Sequence, residues 1–229
     1  MKTKVHIIQE DNEMYKKDNG NKWESNHVKL QGEVVSGFTF AYDVFGEKFY
    51  SFDLSVSRLS GFNDTIPVVV SERLMDVNED WIGQFIKIDG QFRSYNAHGE
   101  DGKSRLLLNA FAREVELADE QATSDSDLNK IYLNGYVCKE PVYRKTPLGR
   151  EIADILVAVN RSYGKSDYIP CICWGRNARY ASTFEVGTNV EIEGRIQSRS
   201  YSKKVSDTEV ETRTAYEVSV SMIGANENV

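Results

Sequence analysis

Cys171 and Cys173 stand two residues apart in the segment SDYIPCICWG, with Tyr168 and Trp174 at its ends. The cysteines raise metal or redox chemistry. The rings raise stacking against another π-system. Zinc needs four protein ligands, or three and a water. Cys138 is the only further cysteine, and the three histidines, His6, His27 and His98, all lie in the first half. The spacing therefore supplies no ligand set, and no metal or other cofactor is expected. On a strand of period two, Tyr168, Pro170, Ile172 and Trp174 share one face. Cys171 and Cys173 share the other with Ile169, as small core residues.

No reading of the chain as an enzyme emerges. The segment GEDGKSR, Gly99 to Arg105, has a Gly-Lys-Ser core but lacks the earlier glycine of a phosphate loop. It also sits in a hairpin-like stretch, whereas such a loop must open a helix after a strand. The carboxylates Glu151 with Asp154, and Glu191 with Glu193, read as exposed strand residues. No catalytic residue is expected.

The elements that must position Tyr168 and Trp174 come from an internal repeat. Sliding the chain by 103 residues sets LQGEVV at Leu30 over LNGYVC at Leu133, and the register holds without a gap to Ser71 over Trp174. Among the identities are Gly32/Gly135, Arg58/Arg161, Asp64/Asp167, Ile66/Ile169 and Pro67/Pro170. One further residue of offset matches Gly90/Gly194 and Ser94/Ser198. The expected division is a first copy with an N-terminal extension over residues 1–118, a small acidic linker over 119–126, and a second copy over 127–229. Residues 1–25 read as a hairpin added to the first copy.

Each copy alternates or runs apolar over strand-like lengths between Gly, Pro, Asn and Ser. In the second copy one short helix fits Arg176 to Thr183, between the third and fourth strands. Five strands with a helix after the third is the plan of an OB-fold. The expected fold is all-β: two tandem OB-folds, five-stranded Greek-key barrels each with a short helix. Gly135 and Gly194 suit the sharp bends of a small barrel.

Charge divides unevenly. Residues 1–126 hold 14 Lys and Arg against 22 Asp and Glu, and residues 127–229 hold 14 against 13. Attraction to phosphate must therefore come from the second copy. No apolar run approaches the ~20 residues that span a bilayer, and MKTKVHIIQED is too polar for a secretory core. A cytoplasmic protein without a membrane partner is expected.

The second copy resembles the bacterial single-stranded DNA-binding protein family across nearly its whole length. The resemblance rests on NKIYLNGYVCKEPVYRKTPLGREIADILVAVNRSY, DYIPCICWGRNARYAS and FEVGTNVEIEGRIQSRSY. It implies aromatic side chains at four strand-binding positions, which fall on Tyr163, Tyr168, Trp174 and Tyr201. Three are tyrosine where the best-known members have tryptophan. A ring stacks on any base without reading sequence, at about 1–3 kcal/mol per base, so DNA is the implied partner and RNA is chemically compatible. Cations pair with phosphate and release counterions. Arg195, Gln197, Arg199 and Tyr201 share a strand face, and Arg161, Arg176 and Arg179 are further candidates for phosphate contact. Lys203 to Arg213 fits a long loop between the fourth and fifth strands that wraps the strand.

The first copy keeps the frame and loses these rings. Ser60, Thr65 and Ser71 stand where Tyr163, Tyr168 and Trp174 do, and Ala97 stands opposite Tyr201. With its acidity this makes it a poor binder, left with Phe62 and Tyr95, and a structural or dimerising role is expected. The family usually assembles four barrels, so a chain with two implies a homodimer. Members commonly carry an acidic, Phe-ended tail that recruits enzymes. Here GANENV follows the last strand, and recruitment by that route is not expected. A second class of function fits the acidic half: an OB-fold protein-interaction or scaffold subunit, such as a primosome-like or mobile-element accessory factor.

Overall fold

In a computed structural model of the chain the described residues are 25–58, 60–98, 104–118, 129–161, 164–204 and 210–226. The proposed N-terminal hairpin and the linker fall almost wholly outside them. Six strands precede the linker: β1 (Asn26–Val34), β2 (Thr39–Val44), β3 (Glu47–Ser57), β4 (Asn63–Ser71), β5 (Phe85–His98) and β6 (Ser104–Leu117). Six follow it: β7 (Asn129–Val137), β8 (Val142–Lys145), β9 (Glu151–Asn160), β10 (Ser166–Trp174), β11 (Asn189–Lys204) and β12 (Val210–Ala225). The helix α1 (Arg176–Ala181) lies between β10 and β11.

Period-two alternation gives the strands an inward face: Phe52, Leu54 and Val56 on β3, and Ile155, Val157 and Val159 on β9, are all buried. Covering those faces requires the sheet to curl, and it closes twice. β1 pairs with β3 and β5, β3 with β4, β4 in parallel with β6, and β6 with β5. The same circuit runs through β7, β9, β10, β12 and β11. Each is a five-stranded barrel of OB-fold plan, to which a short hairpin strand, β2 or β8, is added at the edge.

Closure needs glycine where strands approach. A Cβ on Gly135 would lie 2.5 Å from the Ala158 carbonyl oxygen. Gly90 and Gly194 sit at the register shifts of β5 and β11, each facing a carbonyl of the partner strand. These bulges let long strands bend around a small barrel.

The helix expected in each barrel is present in the second, and the described residues of the first contain none. Between β4 and β5, residues 72–84 form successive turns. Asp76 and Asp80 accept hydrogen bonds from the backbone N–H of Asn78 and Ile82, both at 3.0 Å. Such local bonds compete with helix formation, whereas Asn177, the residue of that kind in RNARYA, donates away from the helix to the Ser221 carbonyl at 2.9 Å. The loop expected over residues 203–213 is also shorter. β11 and β12 pair as far as Lys204 and Val210, leaving only 205–209 outside the described residues.

The barrels join through β1 and β7, antiparallel from Asn26↔Leu133 to Leu30↔Asn129, with the repeat-equivalent Val28 and Ile131 paired at the centre. The result is one twelve-stranded order, β2-β3-β4-β6-β5-β1-β7-β11-β12-β10-β9-β8. Two carboxylates clasp across this seam. Asp64 of the first barrel accepts from the Ser198 N–H at 2.7 Å, and Asp167 of the second from the Ser94 N–H at 2.6 Å. Both are fully buried.

The clasps differ in how each carboxylate is held. Asp64 is held by the fork of Arg58 and by Arg195 at 3.2 Å. Burial alone would raise its pKa, but the Arg58 and Ser198 hydrogen bonds hold it below the usual carboxylate value. Arg161 lies 3.3 Å from Asp167 without hydrogen-bonding geometry, and burial leaves Asp167 raised. A lowered folded pKa contributes stability above the unfolded value and loses it as pH falls through the folded one. Asp167 has the opposite sign, costing stability as pH rises through its raised pKa. Asp64→Asn, which leaves two guanidinium groups facing each other, is expected to cost about 3–5 kcal/mol in urea unfolding at neutral pH and to blunt acid denaturation. Asp167→Asn should cost less and leave the acid limb intact. Equal costs for the two would contradict the assignment.

Candidate nucleic-acid interface

Strand β10 carries the two rings at the ends of its outer face, where they are open to solvent although Ile172 between them is buried. Along it Ile169, Cys171 and Cys173 are buried, while Tyr168 and Trp174 are 43% and 39% exposed. The cysteines thus face the barrel core, and burial pushes the Cys173 thiol up to about 12 and raises Cys171 as well. Neither is a thiolate at neutral pH. Among the described residues no group of three or more His, Cys, Asp and Glu could hold a metal ion. No helix among them is long and apolar enough to cross a membrane.

Around these rings the sheet presents its outer surface. Trp174 pairs with Ile152 on β9, which pairs with Arg144 on β8. Arg144, in the Trp174 row itself, holds Asp154 at 2.7 Å, whereas Arg179 of α1 holds Glu151 at 3.5 Å on the alternate side of β9, beside Tyr143. Arg144 was not singled out by the sequence, since its place beside Trp174 follows from the β8–β9 register. Arg176, exposed at the start of α1, immediately follows the Trp174-Gly175 turn. At the other end of β10, the Tyr168 N–H donates to Ser94 Oγ of the first barrel at 2.7 Å.

The remaining expected residues are placed as follows. Tyr201 is 38% exposed on the outer arm of β11, opposite Arg213. Arg199, half exposed, lies 3.7 Å from Glu217. Arg195 and Arg161 face the seam carboxylates Asp64 and Asp167, so their first task is to neutralise buried charge. Their side chains remain about one-third and one-quarter exposed, at 36% and 27%. Tyr163 lies outside the described residues. The first barrel's outer surface holds rings that alignment of the repeats does not mark: Tyr42, Phe45, Phe49 and Phe111. The run FTFAYDVFG was the available signal for Tyr42 and Phe45.

The fold and this surface define a double OB-fold protein with exposed strand aromatics. A model described as the single-strand binding protein family matches residues 128–225. Single-stranded DNA-binding protein B of Bacillus subtilis is 35% identical over 80 residues, covering 32% of this chain and 71% of that protein. Single-stranded DNA-binding protein 2 of Listeria innocua is 35% identical over 94 residues, covering 36% of this chain and 59% of its own length. Protein A of B. subtilis is 33% identical over 98 residues, covering 38% and 57%. The chain belongs to the bacterial single-strand binding protein family, although the match spans less than three-fifths of the length of these last two relatives. The wild-type single-stranded DNA binding protein of Thermus aquaticus shares the fold over 89% of this chain and 94% of its own, with TM-score 0.68 and 18% identity.

Thiol labelling checks the orientation of β10. In the native protein only Cys138, partly exposed, should react with a maleimide, slowly because burial raises its pKa. All three should react in denaturant. Rapid native labelling of Cys171 or Cys173 would mean that the strand faces the other way.

Proposed function

We propose that this chain binds single-stranded DNA without reading its sequence, in DNA replication, recombination or repair in the cytoplasm, and that the outer face of the second barrel carries the site. The observation that supports this reading is that β10 buries its cysteine side throughout, while the opposite side opens to solvent at its two ends, Tyr168 and Trp174. A ring half open to solvent on a rigid strand offers a base a flat partner at little cost in ordering. Tyr201 and Tyr163 extend the same set. Arg176 and Arg199 would meet phosphates directly, and Arg161 and Arg195 add positive potential from the seam. Stacking does not distinguish DNA from RNA. No step of catalysis is assigned to any residue.

In this reading the first unit comprises residues 1–118 and the second 127–229, with 119–126 between them. Two chains would associate to give four barrels. Among the described residues the sheet ends in the exposed strands β2 and β8, and edges of this kind invite a partner. Light scattering should then give twice the 26.0 kDa of one chain, and a monomer mass would remove the assembly.

Titration with oligo(dT) tests binding. Tryptophan fluorescence should be quenched, with affinity falling as salt rises. Trp174→Ala should remove most of the quenching and weaken binding by about 5- to 150-fold, equivalent to about 1–3 kcal/mol for one stacked base. Trp81, whose indole N–H is bonded to the Asp76 carbonyl at 2.9 Å, should report little. An absence of binding at low salt would reject this function and favour a protein-interaction subunit.

A further inference from the structure

The two barrels distribute aromatic rings differently along matching rows of their outer faces. In the second barrel one row reads Arg144, Ile152, Trp174 across β8, β9 and β10. The matching row of the first reads Tyr42, Phe49, Ser71 across β2, β3 and β4. The next row is Ile172, Ser219, Arg195 in the second barrel and Val69, Phe111, Gln91 in the first. Where β10 has a ring, β4 has none, but the neighbouring strands have acquired them.

These rings form a continuous surface. Tyr42 stacks on Phe49 with centroids 5.0 Å apart and planes at 26°, and Phe49 meets Phe111 at 5.7 Å. The Arg93 guanidinium lies 3.7 Å over the Phe111 ring. Together with Phe45 they line a shallow recess of about 400 Å³. Phe45 is fully exposed and holds φ of 53° at the tip of the β2–β3 turn, a conformation that a bulky side chain rarely adopts. A strained turn that displays a bare phenyl ring points to a task for the ring.

The charge around the recess favours an anionic ligand. Its lining carboxylate, Glu47, is neutralised by Arg73 at 3.3 Å. Arg93 also stands within electrostatic reach of Arg113 and of the second barrel's Arg161, with Asp167 as the carboxylate among them. The surface also meets the first-described site: Ser94, next to Arg93 on β5, accepts the hydrogen bond from the Tyr168 N–H.

We infer that Tyr42, Phe45, Phe49 and Phe111, with Arg93, form a second single-strand platform on the first barrel, continuing the path that begins at Tyr168. The inference rests on the binding function proposed above. The ligand is the same class, a flexible polyanion with stackable bases, held by a different set of residues from those of the second barrel. A strand longer than one barrel's footprint would cross the seam between Tyr168 and Arg93 and lay its next bases on Phe111, Phe49 and Tyr42.

The test uses the full chain and labelled oligo(dT) of about 12 and about 45 nucleotides, chosen because one OB-fold covers roughly 4–16. The double variant Tyr42→Ser/Phe45→Asn removes two exposed rings, and asparagine suits the positive φ at position 45, so folding is preserved. It should weaken binding of the long strand about ten-fold and leave the short strand, held by the second barrel, within two-fold of wild type. Arg93→Gln should lower the salt slope for the long strand by about 0.7. Unchanged long-strand affinity and salt slope, with Trp174→Ala still defective, would overturn the inference while leaving the proposed function in place. A change in native mass without a change in affinity would also overturn it, by showing a surface for chain association. If wild-type protein binds neither strand, the function and the inference fall together.

Discussion

The antiparallel pairing of β1 with β7 is the constraint on which the molecule depends. It places Val28 against Ile131, fuses two closed barrels into one sheet and sets every other inter-barrel contact. The carboxylates of Asp64 and Asp167 reach across only because that pairing brings β4 beside β11 and β10 beside β5. Each buried charge then requires a guanidinium, and Arg58, Arg161 and Arg195 are taken up in that role. Part of the cationic inventory therefore balances the interior, and the outer faces rely on aromatic area for contact.

This arrangement would let an acidic chain offer the surface for nucleic acid proposed above. The net charge of −7 describes the whole molecule, whereas binding depends on the local potential over an outer face. Near the seam Arg93 and Arg161 face one carboxylate, Asp167, whose own ionisation is disfavoured by burial, and Arg113 lies within electrostatic reach of Arg93. The rigidity of the two barrels holds the rings of the second barrel and the recess of the first at fixed positions, so a flexible strand bears most of the ordering cost of binding.

Much of this was legible in the sequence because the repeat runs without a gap over β1 to β4 and with one residue of offset over β5. The identities at Gly32/Gly135 and Gly90/Gly194 mark close strand approaches and bulges, and Asp64/Asp167 and Ser94/Ser198 mark the clasps, although their reach across the seam was not deducible from one copy. The period-two reading of SDYIPCICWG gave the correct sides to its cysteines and rings. A helix in the first barrel was expected by analogy and is replaced by turns at Asp76 and Asp80, whose side chains bond the local backbone. Arg195 and Arg161 carried no mark to distinguish a seam partner from a phosphate contact. Rings that moved to a neighbouring strand, such as Phe49 and Phe111, escaped a comparison of aligned positions, because their proximity to one another exists only once strand register is known.

The central claim, that the outer sheet face ending in Tyr168 and Trp174 receives the strand, is most directly tested by photo-crosslinking. A single strand carrying 5-iododeoxyuridine would be irradiated with the full-length protein and the adducts mapped by mass spectrometry. The account predicts adducts on Tyr168 and Trp174 and none on Cys171 or Cys173, the buried side of the same strand. Adducts confined to the turns at residues 72–84, with none on β10, would contradict it.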